Sequence, residues 1–259
     1  MNNINNFNLK RVVSLCNMII AEQPRVFMML SLLLLGVMSL AFVFINLSTY
    51  NYSSADFEAA RAAIYIIFVF YGMIFTSLAF GKMRDKKGRT SLLMLPALQI
   101  EKYIANFIVY VIMYVVIFAL AVYLADIIRM IVMSVLPLRA EVDIYPLQLS
   151  SLWCEDTANT MAAYMFLQSF YWLGALLWPH NSFIKTYSAL TILGLFYIFT
   201  GMCLYKLIIG SHSYHLTMFD DEPLNTEPIM WAIVVATFVI NYTIAYIRLK
   251  ETDVVQKLL

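Results

Sequence analysis

YIANFIVYVIMYVVIFALAVYLA, from Tyr103 to Ala125, carries no charged side chain, and Asn106 is the only amide in it. As a helix rising 1.5 Å per residue it is about 35 Å long, enough to cross a hydrocarbon core of about 30 Å. Lipid offers a backbone no hydrogen-bond partners, so an apolar run of this length satisfies its own N–H and C=O groups as an α-helix. Five more stretches read the same way: Val26 to Leu47, Ala62 to Phe80, Met161 to Leu177, Tyr187 to Ile209 and Ile229 to Ile247. The expected fold is an all-α integral membrane protein with six transmembrane helices, and residues 1–259 form a single transmembrane domain.

Composition agrees with that class. Of 259 residues, 62% are hydrophobic and 13% charged, with a mean hydropathy of +0.77, against about 25% charged residues in soluble domains. The net charge of +1 leaves no basic domain for nucleic acid. Cys16, Cys154 and Cys203 are too far apart for a disulfide framework or a metal-ligand spacing. The run Val26 to Leu47 exceeds a signal-peptide core and is read as a retained span.

Basic residues orient the spans. With the N-terminus in the cytoplasm, Lys10, Arg11, Arg25, Lys82, Arg84, Lys86, Lys87, Arg89, Lys102, Lys185, Arg248, Lys250 and Lys257 fall inside. Arg61, Arg129, Arg139 and Lys206 fall outside or near the outer face, a strong positive-inside bias. Most acidic residues, among them Asp126, Asp220, Asp221 and Glu222, fall outside. Both termini are then cytoplasmic.

Ahead of the first span, Asn8 can cap a helix over about 8–22 with Val12, Val13, Cys16, Ile19 and Ile20 at helical spacing and Lys10, Arg11, Asn17, Glu22 and Gln23 opposite. Such a helix lies in the membrane interface, and Pro24 starts the span behind it. Beyond Asp126 the apolar pattern resumes as IIRMIVMSVLPL, so the third helix must project, kink or fold back.

Little in the spans suggests chemistry. Asn106, Gln168, Ser169, Asn241 and Thr243 read as hydrogen-bond partners between helices. His212 and His215 lie near an acidic cluster without an HExxH motif or a cysteine, as in a solvated loop. His180 marks a turn beside the interfacial anchor Trp178. Lys206 can snorkel outward. Gly174, Gly194 and Gly201 allow close helix approach within or between subunits. No GxSxG elbow and no P-loop occurs, so the chain has no ATPase site in the P-loop manner.

The connection between the second and third spans, GKMRDKKGRTSLLMLPALQIEKY, is built beyond the needs of a linker. Lys82, Arg84, Lys86, Lys87 and Arg89 stand against Asp85 alone, which fits either a topological anchor beside anionic lipid or a docking surface. Leu92, Leu93, Met94 and Leu95 follow outside any span. Pro96 then permits a fresh helix, with Glu101 and Lys102 in its early turns.

Six spans, an amphipathic helix before the first and the phrase LLMLPALQIEKYIANFIVY resemble the membrane subunit of bacterial type-2 ATP-binding-cassette (ABC) exporters. The resemblance implies a permease of the cytoplasmic (inner) membrane in which residues 82–95 form a cytoplasmic coupling helix seated on a separate ATPase subunit. It further implies a second permease chain, identical or different, and no cofactor bound by this chain, ATP being used by the partner. Members of that family often carry re-entrant helices between spans five and six, whereas SHSYHLTMFDDEPLNTEP here is polar and acidic. Two other readings of the residues are an intramembrane enzyme, which lacks catalytic residues in the spans, and a membrane scaffold or sensor docking through the same basic segment.

Overall fold

The computed structural model describes residues 7–48, 54–84, 88, 90–91, 95, 97–135, 155–209 and 227–257. These residues are helical almost throughout, and no strand occurs among them. Helix α1 spans Leu9–Glu22, α2 Pro24–Ser48 and α3 Ser54–Ser77. After a 3₁₀ turn at Gly81–Arg84 come α4 (Gln99–Val135), α5 (Glu155–Leu177), α6 (Ser182–Ile209) and α7 (Glu227–Lys257).

Five helices are long and apolar enough to cross a membrane, over Pro24–Leu47, Ala60–Ser77, Gln99–Val135, Ser182–Cys203 and Met230–Glu251. Their outward faces are greasy: Leu32, Leu40 and Phe44 on α2, Ile192, Phe196 and Phe199 on α6, and Val235 and Val239 on α7 are all exposed. A surface of that kind is stable only in lipid, so the chain is an all-α membrane-embedded protein. The stretch 161–177 lies within α5, which is less apolar than those five. Its position explains why: α5 packs against α3, α6 and α7, and buries Tyr164, Gln168, Ser169, Tyr171 and Trp172. A helix clothed by protein does not need a lipid-compatible sequence.

The bundle is held by two aromatic layers. Phe68, Tyr114, Phe118 and Tyr164 stack between α3, α4 and α5, with ring centroids 4.6 to 6.2 Å apart. Nearer the α1 end, Phe80, Tyr103, Phe107, Trp172 and Tyr242 join α4, α5 and α7. Such pairs contribute about 0.5–1.5 kcal/mol each beyond the area they bury. Two glycines make the helices close enough. A Cβ on Gly72 would collide with the Tyr164 ring, and one on Gly174 with Thr186. Gly194 and Gly201 instead face open space, so among these glycines close packing within the chain falls to Gly174 and Gly72.

Helix α4 does not stop at Asp126. It is helical without a break over 37 residues to Val135, about 55 Å of helix and more than a hydrocarbon core needs. A π-helical turn at Ile108–Ile112 widens it. There the three consecutive side chains of Val109, Tyr110 and Val111 are buried, which a regular α-helical turn would not turn to one face.

Candidate functional site: the junction of α1 and α4

Local signals set α1 in place. The Asn8 side chain accepts from Lys10 N at 3.0 Å, an N-cap of the expected kind. The helix then ends at Glu22, and α2 begins at Pro24. Its buried face is the expected one except at Val13: Val12 and Ile19 are buried together with Leu15, while Cys16 and Ile20 pack partly buried against the core, and Val13 is exposed with Leu9. Leu9 and Val13, one turn apart, form an exposed apolar strip beside that face. Lys10, Ser14 and Asn17 are on the far, exposed side.

Helix α4 begins at Gln99 behind Leu98, three residues beyond Pro96. Glu101 occupies the third position of the first turn, and its Oε2 accepts from the Leu98 backbone N–H at 3.0 Å. Its other oxygen reaches across 93 residues of sequence and accepts from Asn8 N at 2.8 Å. The Arg11 guanidinium stands 4.0 Å from the same oxygen. The carboxylate is fully buried, at 0% exposure. A lone buried carboxylate costs several kcal/mol. Here two charge-assisted hydrogen bonds, the positive ends of two helix dipoles and a cation offset that cost. Glu101 thus caps α4 and α1 at once.

The neighbours tighten the junction. Lys102 is buried, and its carbonyl accepts from Asn106 Nδ2 at 2.9 Å. The Cys16 thiol approaches Ala105 O at 3.7 Å, and burial raises its pKa above the usual thiol value. On the other flank, Lys82 in the turn after α3 forms an ion pair with Glu22.

Phe80 joins this end of α3 to the interior. Its φ of 59° places a bulky aromatic residue in the left-handed region, a costly conformation outside glycine and asparagine. The ring is buried against Trp172 at 5.1 Å and Tyr103 at 6.2 Å, which is the packing that holds the conformation. Trp172 Nε1 donates to the Tyr103 hydroxyl at 2.8 Å, and that hydroxyl donates to Tyr242 O at 2.9 Å. The seam continues with Gln168 Nε2 donating to the Tyr242 hydroxyl at 3.1 Å and Asn241 Nδ2 to Ser169 Oγ at 2.9 Å. Gln168, Ser169 and Asn241 therefore bridge helices as expected, whereas Asn106 and Thr243 bond back to their own helix.

Of the residues expected to form the coupling segment, Lys82 and Arg84 lie in the 3₁₀ turn, and Leu95 is half-buried against the core. Gly88, Thr90 and Ser91 are helical. Asp85, Lys86, Lys87, Arg89, Leu92, Leu93, Met94 and Pro96 lie outside the described residues, as do Cys154, His212 and His215. Glu101 and Lys102 are at the junction itself. Its other members, Asn8, Arg11, Glu22, Tyr103 and Trp172, carry no sequence signal that would pair them with Glu101 or Lys82.

Asp126 and Arg129, expected outside, form a buried ion pair on α4, with Nε to Oδ1 at 2.8 Å and Nη2 to Oδ1 at 2.7 Å. About 35 Å of helix separates Asp126 from Tyr103, so the pair belongs to the opposite end of the bundle. Among the described residues no group of three or more His, Cys, Asp or Glu could hold a metal ion. Comparison with protein families, with curated proteins and with solved structures finds no match to this chain.

Proposed function

We propose that the chain is the permease subunit of an ATP-binding-cassette exporter of the type-2 kind, working as six spans with both termini in the cytoplasm of a bacterial inner membrane. The observation that carries the reading is the Glu101 junction. The segment 82–95, basic and then apolar, leaves a turn wedged by Phe80 and returns into a helix whose first buried carboxylate also holds α1. A push on that segment has two rigid routes into the bundle, one through Phe80 to Trp172 and one through α4.

In this reading residues 82–95 dock on an ATPase subunit, and two permease chains, identical or different, pair with two ATPases. The chain does no covalent chemistry and binds no cofactor. ATP-driven closure of the ATPases shifts the bundle between two discrete packings. The aromatic, apolar interior suits a lipid, hydrophobic peptide or drug-like substrate.

Purification of the tagged chain from its native membrane tests the assembly. An ATPase carrying a P-loop should co-purify in equimolar amount. Recovery of the chain in monodisperse form with no ATPase, under conditions mild enough to retain bound lipid, would count against the reading.

A further inference from the structure

Where the end of α1, the turn after α3 and the π-turn of α4 meet, a cleft is lined by Ile19, Glu22, Lys82, Met83, Asn106 and Tyr110. It has a volume of about 20 Å³, room for one water molecule. Lys82 Nζ is buried there and, apart from its ion pair with Glu22, meets no hydrogen-bond acceptor of good geometry among the described residues. An ammonium has three protons to place, and leaving them short of acceptors in a buried site is costly.

The two partners are unequally held. The Lys82 side chain is 17% exposed and leaves a 3₁₀ turn, whereas Glu22 is 39% exposed and is the last residue of α1. The cation is the more buried half of the pair, and the carboxylate, at the end of a helix, is the half nearer solvent. Ile19, Phe80 and Met83 give the cleft an apolar wall. With α1 read as an interfacial helix, the cleft lies at headgroup depth. Arg84, Lys86, Lys87 and Arg89 follow Lys82 directly in the chain, with Asp85 the single acid among them. That balance attracts an anionic membrane surface.

We propose that Lys82 binds a phosphate group, that of an anionic phospholipid headgroup at this depth, and that Glu22 is an internal stand-in that closes the site until the phosphate displaces it. A phosphate diester supplies the acceptors that Lys82 lacks, and its glycerol and acyl carbons lie along Ile19, Phe80 and Met83. Rotation of Glu22 makes the room that the closed cleft does not have. The site does not depend on whether an ATPase partner exists.

Native mass spectrometry of the full chain, released from nanodiscs of phosphatidylcholine with a minor fraction of phosphatidylglycerol, reads the site directly. The unaltered protein should retain phosphatidylglycerol above its share in the disc. Lys82→Gln should lose one such lipid, Lys82→Arg should keep it, and Glu22→Gln should retain it several-fold more strongly. Millimolar glycerol phosphate should leave these counts unchanged, and its displacement of the lipid would assign the site to free phosphate and overturn the lipid assignment. Equal retention by Lys82→Gln and the unaltered protein would overturn the proposal. Should Lys82→Gln fail to fold, Glu22→Gln decides alone, and retention no greater than in the unaltered protein overturns it.

Discussion

The Glu101 carboxylate accepts the backbone N–H of Asn8 at 2.8 Å while its second oxygen accepts that of Leu98 at 3.0 Å, so one buried side chain ends two helices that are remote in sequence. Removing it leaves two helix N-terminal donors unsatisfied and Arg11 beside an empty place. Glu101→Ala should therefore lower stability by about 3–5 kcal/mol, and Glu101→Gln, which keeps the shape and loses the charge, by about 1–2 kcal/mol. Thermal unfolding in detergent followed by tryptophan fluorescence checks the order. A Glu101→Ala protein as stable as the unaltered one would mean that α1 is not held there.

Docking of α1 also protects Cys16. Thiol reagents attack the thiolate, and burial raises the Cys16 pKa, so at neutral pH less of it is ionised than of a free cysteine. In a Cys154→Ser, Cys203→Ser background, alkylation by a soluble maleimide should be slow at pH 7 and should quicken as the pH rises toward the raised pKa. Glu101→Ala should speed it at every pH by freeing α1. Reaction at the rate of an exposed cysteine in the otherwise unaltered chain would show that the thiol is not packed on Ala105.

The glycines predict contrasting outcomes. Gly174→Ala places a methyl into Thr186 and Gly72→Ala places one into the Tyr164 ring, and each should cost about 1–3 kcal/mol. Gly194→Ala and Gly201→Ala meet open space and should change stability by no more than about 0.5 kcal/mol. Unfolding midpoints of the four variants in one detergent settle the contrast. If the first pair were as harmless as the second, α5 would not approach α3 and α6 as closely as described.

The seam from Trp172 to Tyr242 is open to a double-mutant cycle. Trp172→Phe and Tyr103→Phe each remove one end of the same 2.8 Å hydrogen bond. Their effects should fall short of additive by about 0.5–1.5 kcal/mol. Strict additivity would leave Tyr103 tied to Tyr242 alone.

What the sequence made legible is what local chemistry decides. Asn8 as a cap, Pro24 as a helix start and Glu101 in a first turn all read correctly, because each signal and its partner lie within one helical turn. The face of α1 read correctly except at Val13, which is as apolar as Val12, and only the position of the bundle tells that it points away. The stretch 161–177 read as a span like the others, yet α5 is less apolar than the five span-like helices because Gln168 and Ser169 bond to a neighbouring helix. The second bond of Glu101, the pairing of Lys82 with Glu22 and the collision that keeps Gly72 a glycine all join residues far apart in the chain. No periodicity or spacing encodes them.

The most direct measurement is ATP turnover by any ATPase that co-purifies with the chain, reconstituted in liposomes with the unaltered chain and with Arg84→Glu, Lys86→Glu and Lys87→Glu combined. If the basic segment docks on such an ATPase, the charge reversals should release it or cut the turnover that depends on this chain about tenfold or more, leaving the chain folded by the tryptophan criterion. Turnover and association unchanged by the three reversals would contradict the assignment of this segment as the coupling element.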